Sequence, residues 1–265
     1  MGIVAASLAM LVGGCTSRPW FDPVPRGHAH NDYLHARPLL DALRAGFASV
    51  EVDVFLRDGE LLVGHDEWML RRDRTLRRLY LDRLRERVQQ NGGSVHGDGL
   101  PFLLLVDIKR DGESVLRALD EVLPEYAPML TRFLGDQIEP GAVTIVLSGD
   151  RPRAAVAARP TRYVAIDGRI QDLDDGTNVA LVPLVSEAWS RHFEWDAVDE
   201  MPQPERAALC ALVMRARKQG CMLRFWGAPD RPLAWAALRE LGVTWINTDR
   251  LRDYAAWSAE QPDRR

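Results

Sequence analysis

The stretch P-E-R-A-A-L-C-A-L-V-M-R-A-R-K-Q-G-C-M-L-R-F-W, residues 204–226, and its continuation P-L-A-W-A-A-L-R-E-L-G-V-T-W-I-N-T-D, residues 232–249, decide the fold. Each opens on a proline, runs amphipathically to a glycine and then passes into a short apolar segment. Proline at the start and glycine just past the end punctuate a helix. The apolar segments that follow have the near-continuous hydrophobicity of strands covered on both faces. The pattern predicts helices over 204–219 and 232–241, each followed by a strand.

Moving toward the N-terminus, the same alternation recurs. V-A-L-V-P-L-V (179–185), Y-V-A-I-D-G (163–168), A-V-T-I-V-L-S (142–148) and P-F-L-L-L-V-D-I-K (101–109) read as further buried strands. S-V-E-V-D-V-F-L (49–56) is a strand by its valine alternation, and R-D-G-E followed by L-L-V-G-H-D (61–66) is a hairpin return turned by D-G. V-P-R-G-H-A-H (24–30) precedes a short helical run whose leucines 39, 40 and 43 share a face. Residues 75–90 and 112–134 are helical, the second broken at Pro124 and Pro128. Eight strands alternating with helices predict a single (β/α)8 barrel, a TIM barrel of the α/β class. A doubly wound open sheet has the same local pattern, and the strand count favours the barrel.

Composition bounds the rest. The chain has 265 residues, 46% hydrophobic and 27% charged, which excludes a wholly disordered chain. A formal charge of −4 provides no global basic field, so no nucleic-acid partner is expected. Only two of its 34 basic residues are lysine, Lys109 and Lys218. Met1 to Gly14 carries no charged side chain, is too short to span a bilayer, and fits the apolar and cleavage regions of a secretory signal, without the usual basic start. The expected organisation is a leader over 1–14, a tether over 15–25, a barrel over 26–258 and a polar tail over 259–265. Cys210 and Cys221 lie in apolar surroundings and are expected as free thiols.

Barrel enzymes draw catalytic residues from the C-terminal ends of several strands. His28 and His30, Glu51 and Asp53, His65 and Asp66, and Asp107 and Lys109 fall at such places, all in the first part of the chain. Residues two apart on a strand share a face, so Glu51 pairs with Asp53 and Asp107 with Lys109. If that face is the barrel mouth, three carboxylates converge, and a hard divalent cation, Mg²⁺ or Ca²⁺, would relieve their repulsion. His35, His96 and His192 lie in loop-like contexts and are expected to be solvated. Trp226 and Trp245 are candidates for lining the pocket, and Arg224, Asp150, Asp167 and Arg169 are weaker ones.

The ordered set G-H-A-H-N-D-Y, A-G-F-A-S-V-E-V-D-V, G-E-L-L-V-G-H-D and L-V-D-I-K resembles the PLC-like phosphodiesterase superfamily. Within it the chain is most similar to the phospholipase C/glycerophosphodiesterase group of altered inheritance of mitochondria protein 6, over about Arg26 to Asp253. The resemblance implies metal-dependent hydrolysis of a phosphodiester, with Glu51, Asp53 and Asp107 as metal ligands and His28 and His65 as general acid and base. His28, of the G-H pair, is preferred over His30, which is then a supporting residue. Lys109 would hold the phosphate, Asn31 would position the phosphate or a histidine, and Trp226 would line the alcohol side. Many glycerophosphodiesterases have glutamate where Asp107 stands, which leaves the substrate open. L-V-G-G-C (11–15) resembles the lipobox of bacterial lipoproteins, implying export, lipidation of Cys15 and, with Thr16 following, an outer-membrane address. Two other readings compete. One is an amidohydrolase-like metal hydrolase built on H-A-H with Asp249; the other is a lipoprotein that binds a phospholipid or sugar phosphate without turnover.

Overall fold

In a computed structural model, residues 26–174, 176 and 178–261 are described. The leader, the tether and Cys15 lie outside them. The strands are β1 (Arg26–Ala29), β2 (Ser49–Arg57), β3 (Glu60–Val63), β4 (Phe102–Ile108), β5 (Arg132–Leu134), β6 (Gln137–Glu139), β7 (Val143–Gly149), β8 (Thr161–Arg162), β9 (Val164–Gly168), β10 (Leu184–Ala188), β11 (Met222–Trp226) and β12 (Trp245–Thr248). The α-helices are α1 (Leu40–Arg44), α2 (Asp82–Gln90), α3 (Gly112–Val122), α4 (Arg153–Ala157), α5 (Gln203–Gln219), α6 (Pro232–Leu241) and α7 (Leu251–Ala259).

Parallel pairing runs β1-β12-β11-β10-β9-β7-β4-β2, and β1 also pairs with β2 through His28↔Ser49. Eight parallel strands therefore close on themselves, and the molecule is a TIM barrel rather than an open sheet. β3 joins β2 as the expected antiparallel hairpin, its turn held by Asp58 and Gly59 at positive φ.

Alternation along the strands divides the interior in two. One face of each strand packs on the helices in a large apolar shell that includes Leu104, Val106 and Ile108 of β4. The opposite face forms a separate cluster in the lumen, with Leu103, Leu105, Phe133, Val146, Ala165, Leu184, Met222 and Trp245. Two residues further along, the lumen becomes polar on six strands: Leu105 gives way to Asp107, Val146 to Ser148, Ala165 to Asp167, Leu184 to Ser186, Met222 to Arg224 and Trp245 to Asn247. The lumen is thus plugged with hydrophobic side chains at its N-terminal end and lined with polar ones at its C-terminal end.

Several details differ from the sequence reading. The helical run after residue 112 ends at Met129 rather than 134. Residues 132–134 instead form β5, the centre of a small antiparallel sheet with β6 and β8, whose Phe133 joins the lumen plug. The strand read over 179–185 begins only at Leu184, because Asn178–Leu181 forms a turn closed on Asn178 Oδ1. α7 was not anticipated; Gly27 explains its seat, since a Cβ there would meet Tyr254 of α7 at 2.6 Å and Phe47 at 2.7 Å. Trp245 belongs to the plug, donating its indole N–H toward Met222 Sδ at 3.2 Å, so it does not line the open end. His96 is not simply solvated, because its Nε2 lies 2.9 Å from the Phe47 carbonyl. Cys210 and Cys221 are free thiols.

Gly149, at the end of β7, has φ +67, and a Cβ there would stand 2.3 Å from the Ile108 carbonyl and 2.7 Å from Asp107 Oδ1. Gly149→Ala is therefore expected to lower stability by about 1–3 kcal/mol from left-handed strain alone, read as a lower urea midpoint at unchanged m-value.

Candidate active site

Asp53 is the hub of the polar end. It is fully buried, and its Oδ2 accepts from the Tyr33 hydroxyl at 2.6 Å, from Lys109 Nζ at 2.7 Å and from His65 Nδ1 at 2.9 Å. Its Oδ1 is buried and has no hydrogen-bond partner. Burial raises the Asp53 carboxyl, with Lys109 opposing the rise and Glu51 adding to it. Lys109 also donates to Asp107 Oδ2 at 2.6 Å. Burial alone would lower its ammonium, but Asp53 and Asp107 together raise it. His65, held at Nδ1, leaves its side chain 57% exposed at the mouth.

Glu51 is the second centre. Arg224, rising from β11 across the lumen, donates through Nη2 to Glu51 Oε2 at 2.5 Å and through Nε to Asn247 Oδ1 at 2.9 Å. Burial would raise the Glu51 carboxyl, yet the Arg224 guanidinium and His28 hold it well below the usual carboxylate range. His28 lies beneath, with no exposed surface, its Nδ1 2.6 Å from Ser49 Oγ and its Nε2 3.4 Å from Glu51 Oε2. Burial and Arg224 push its pKa down to about 3. A neutral ring that accepts from the serine hydroxyl and donates to the carboxylate satisfies both contacts.

His30 stands higher, its Nδ1 donating to Asp249 Oδ1 at 2.8 Å while Nε2 faces Glu51 Oε1 at 3.9 Å. Burial opposes its protonation, but the Asp249 bond and the charge of Glu51 raise its pKa overall. Asn31, at φ 47, sets its side-chain amide between the Tyr33 hydroxyl oxygen, 2.9 Å away, and His30 Nδ1, 3.1 Å away, and so ties the strand-end loop to the Asp53 hub.

The structure thus brings His28, His30, Asn31, Glu51, Asp53, His65, Asp107 and Lys109 into one cluster. Trp226 stands 44% exposed at the end of β11, outside its hydrogen-bond network. Two expectations are revised. The preference for His28 gives way to His30, because both ring nitrogens of His28 are engaged in the buried floor. The three carboxylates also do not require an ion to coexist, since Arg224 and Lys109 stand among them. As placed, no three His, Cys, Asp or Glu side chains among the described residues form a group that could hold a metal. The chemistry of the donor set still fits a hard cation. Asp53 Oδ1 lacks a partner, and three carboxylates against Lys109 and Arg224 leave one negative charge uncompensated.

Tyr33 and Ser49 went unremarked in the sequence, and Arg224 and Asp249 carried little weight. Tyr33 directly follows H-N-D, which is the one local hint; the others come from distant strands. For the amidohydrolase-like reading, β9 and β10 bring Asp167 and Ser186 to the lumen where histidines would be needed.

Arg224→Met strands the buried Glu51 carboxylate and is expected to cost about 3–5 kcal/mol, most of it recovered in Glu51→Gln/Arg224→Met. Urea denaturation of the four-member cycle measures the coupling.

The AIM6-like phosphodiesterase domain matches residues 21–167. The altered inheritance of mitochondria protein 6 homolog of Arthroderma benhamiae is 28% identical over 259 residues, covering 86% of this chain and 81% of that protein. Altered inheritance of mitochondria protein 6 of Eremothecium gossypii is 27% identical over 264 residues, covering 85% and 67%. A glycerophosphodiester phosphodiesterase from Parabacteroides distasonis has the same fold, with a TM-score of 0.54 at 13% identity over 89% of this chain and 99% of that one. The domain match spans more than half of the sequence and includes the strands that carry Glu51, Asp53 and Asp107 and the turn that carries His65, and the chain belongs to the AIM6-like phosphodiesterase family.

Proposed function

We propose that this mouth hydrolyses a phosphodiester, on a glycerophosphodiester, a phospholipid headgroup or a related ester. The observation that carries the reading is the pair of mouth histidines, each with Nδ1 held by a carboxylate: His30 by Asp249 and His65 by Asp53. A carboxylate at Nδ1 fixes the tautomer and leaves Nε2 for proton transfer.

One histidine takes a proton at Nε2 from water or a substrate hydroxyl as that oxygen attacks phosphorus. The other delivers a proton to the departing alkoxide as its P–O bond breaks. Lys109 meets the phosphoryl oxygens with a compact ammonium where the chain otherwise uses arginine nearly everywhere. Asn31 and Tyr33 keep the Asp53 hub in register, His28 supports Glu51 from below, and Trp226 borders the alcohol. Glu51, Asp53 and Asp107 would hold a divalent ion, Mg²⁺ or Ca²⁺, which when bound supplies charge neutralisation on the phosphoryl oxygens. An anionic diester entering beside an uncompensated carboxylate supports that requirement.

His65→Ala and His30→Ala are each expected to lower kcat/KM on a glycerophosphodiester by about 10²–10⁴. Against bis-p-nitrophenyl phosphate, whose leaving group needs little protonation, the variant that lacks the acid should lose much less, which assigns the roles. EDTA should abolish turnover and added Mg²⁺ or Ca²⁺ restore it. Full activity in His65→Ala, or turnover indifferent to chelation, overturns the mechanism.

We also propose that the chain is exported and anchored through Cys15, on the strength of L-V-G-G-C. The full-length protein should fractionate with membranes and Cys15→Ser should not; an intact mass without lipid on the membrane-bound form argues against the anchor.

A further inference from the structure

Beside the mouth lies a second polar feature that the chemistry above does not use. A cavity of about 340 Å³ is lined by Arg37, Arg71, Arg74, Arg78 and Arg83, with Asp73 as its single acid. Among the described residues, only Arg37 and Arg71 of these five face a carboxylate, Asp41 and Asp73 respectively. Arg74 donates to the Tyr33 carbonyl at 2.5 Å and Arg83 to the Pro38 carbonyl at 2.9 Å, and neither has an acidic partner among the described residues. The Arg78 side chain is exposed. In a chain of net charge −4, five guanidinium groups around one concavity with one carboxylate are a local excess that solvation of an ordinary surface does not call for.

The cavity adjoins a groove lined in part by Tyr33, whose hydroxyl binds Asp53, and by Gly64, the neighbour of His65. This groove, of about 390 Å³, shares Arg71 and Arg74 with the cavity, and its lining also includes Tyr33, Leu34, His35, Gly64, Trp68 and Met69. Leu34 and Trp68 are 57% and 82% exposed, so the groove offers apolar surface beside its two arginines. Guanidinium forks pair bidentately with phosphates as well as carboxylates and retain their charge at all working pH values, and a phosphoryl group offers several guanidinium groups three acceptor oxygens at once.

We propose that Arg37, Arg71, Arg74, Arg78 and Arg83 form a phosphate-binding site next to the reaction centre, filled by a second phosphoryl group separated from the reacting diester by an uncharged spacer. Its place beside a diester-cleaving mouth rests on the function proposed above, whereas the binding itself does not. The second phosphate belongs either to a soluble substrate or to a lipid headgroup, and the chemistry is shared. Through Arg74 and the Tyr33 carbonyl, occupancy of this site bears on the same residue that anchors Asp53.

Isothermal titration of the purified protein with inorganic pyrophosphate tests it, in wild type, His65→Ala, Arg78→Gln and Arg71→Gln/Arg78→Gln. The exposed Arg78 side chain makes no hydrogen bond or ion pair among the described residues, so its variant serves as the well-folded probe. Affinity should be kept in His65→Ala and fall about tenfold or more in the double arginine variant, a change of about 1.4 kcal/mol or more. Undetectable binding at millimolar pyrophosphate together with no vesicle capture, or equal affinity in the double variant, overturns the site. Phosphatidylcholine vesicles carrying phosphatidic acid, compared with vesicles carrying oleate at equal surface charge, separate the sources. Selective capture by phosphatidic acid assigns the phosphate to a headgroup, and pyrophosphate binding without capture assigns it to a soluble compound. Equal capture by both vesicles, with no pyrophosphate binding, reduces the feature to surface charge and overturns it. A protein that binds pyrophosphate through these arginines but cleaves no diester would retain this site and lose the catalytic reading.

Discussion

Glu51, Asp53 and Asp107 are carried to one end of a barrel lumen by two adjacent strands, and the cost of holding negative charge there governs what surrounds them. Neighbouring carboxylates in a low-dielectric site repel strongly, and each also loses hydration. The chain answers with Arg224 on Glu51 and with Lys109 between Asp53 and Asp107. These two contacts set the charge state of the residues around them. Arg224 keeps Glu51 ionised, burial and Arg224 keep His28 neutral, and Lys109 shares Asp53 Oδ2 with Tyr33 and His65. One negative charge is left over, and one buried oxygen, Asp53 Oδ1, is left without a partner.

That arrangement depends on how the lumen is filled. The plug of Leu103, Leu105, Met222, Trp245 and their neighbours closes the N-terminal end, so polar side chains two residues further on meet across a short distance rather than over an open pore. The strand period places an inward residue at every second position, and the step from apolar to polar falls at one level on six strands. A barrel therefore sorts chemistry by height. The floor holds His28, Arg224 and Ser49, which are shielded and engaged, while the rim holds His30 and His65, which keep a nitrogen free.

The local signals in the sequence were strong where a single strand or turn was enough. Helix-strand units with proline and glycine at their boundaries, the D-G hairpin after β2, and the pairing of Glu51 with Asp53 are all written in short windows. Signals failed where distant segments decide. β5 looked helical because it follows an amphipathic run, and only pairing with β6 and β8 makes it a strand. The V-A-L-V half of 179–185 was apolar enough for a strand, yet Asn178 turns it. His28 and His30 share a strand end and a side, so no spacing rule separates them; burial does.

What the sequence determined by itself is the eight-unit alternation, and with it the barrel and the height at which His28, Glu51, Asp53 and Asp107 emerge, because strand period and helix punctuation are local properties of the backbone. Tertiary structure alone decided the partners. Arg224 lies 173 residues from Glu51 and Asp249 lies 219 from His30, and only closure of β1 on both β2 and β12 brings them within reach. Electrostatic compensation acts through space, so the identity of the cation that meets each buried acid belongs to the folded barrel.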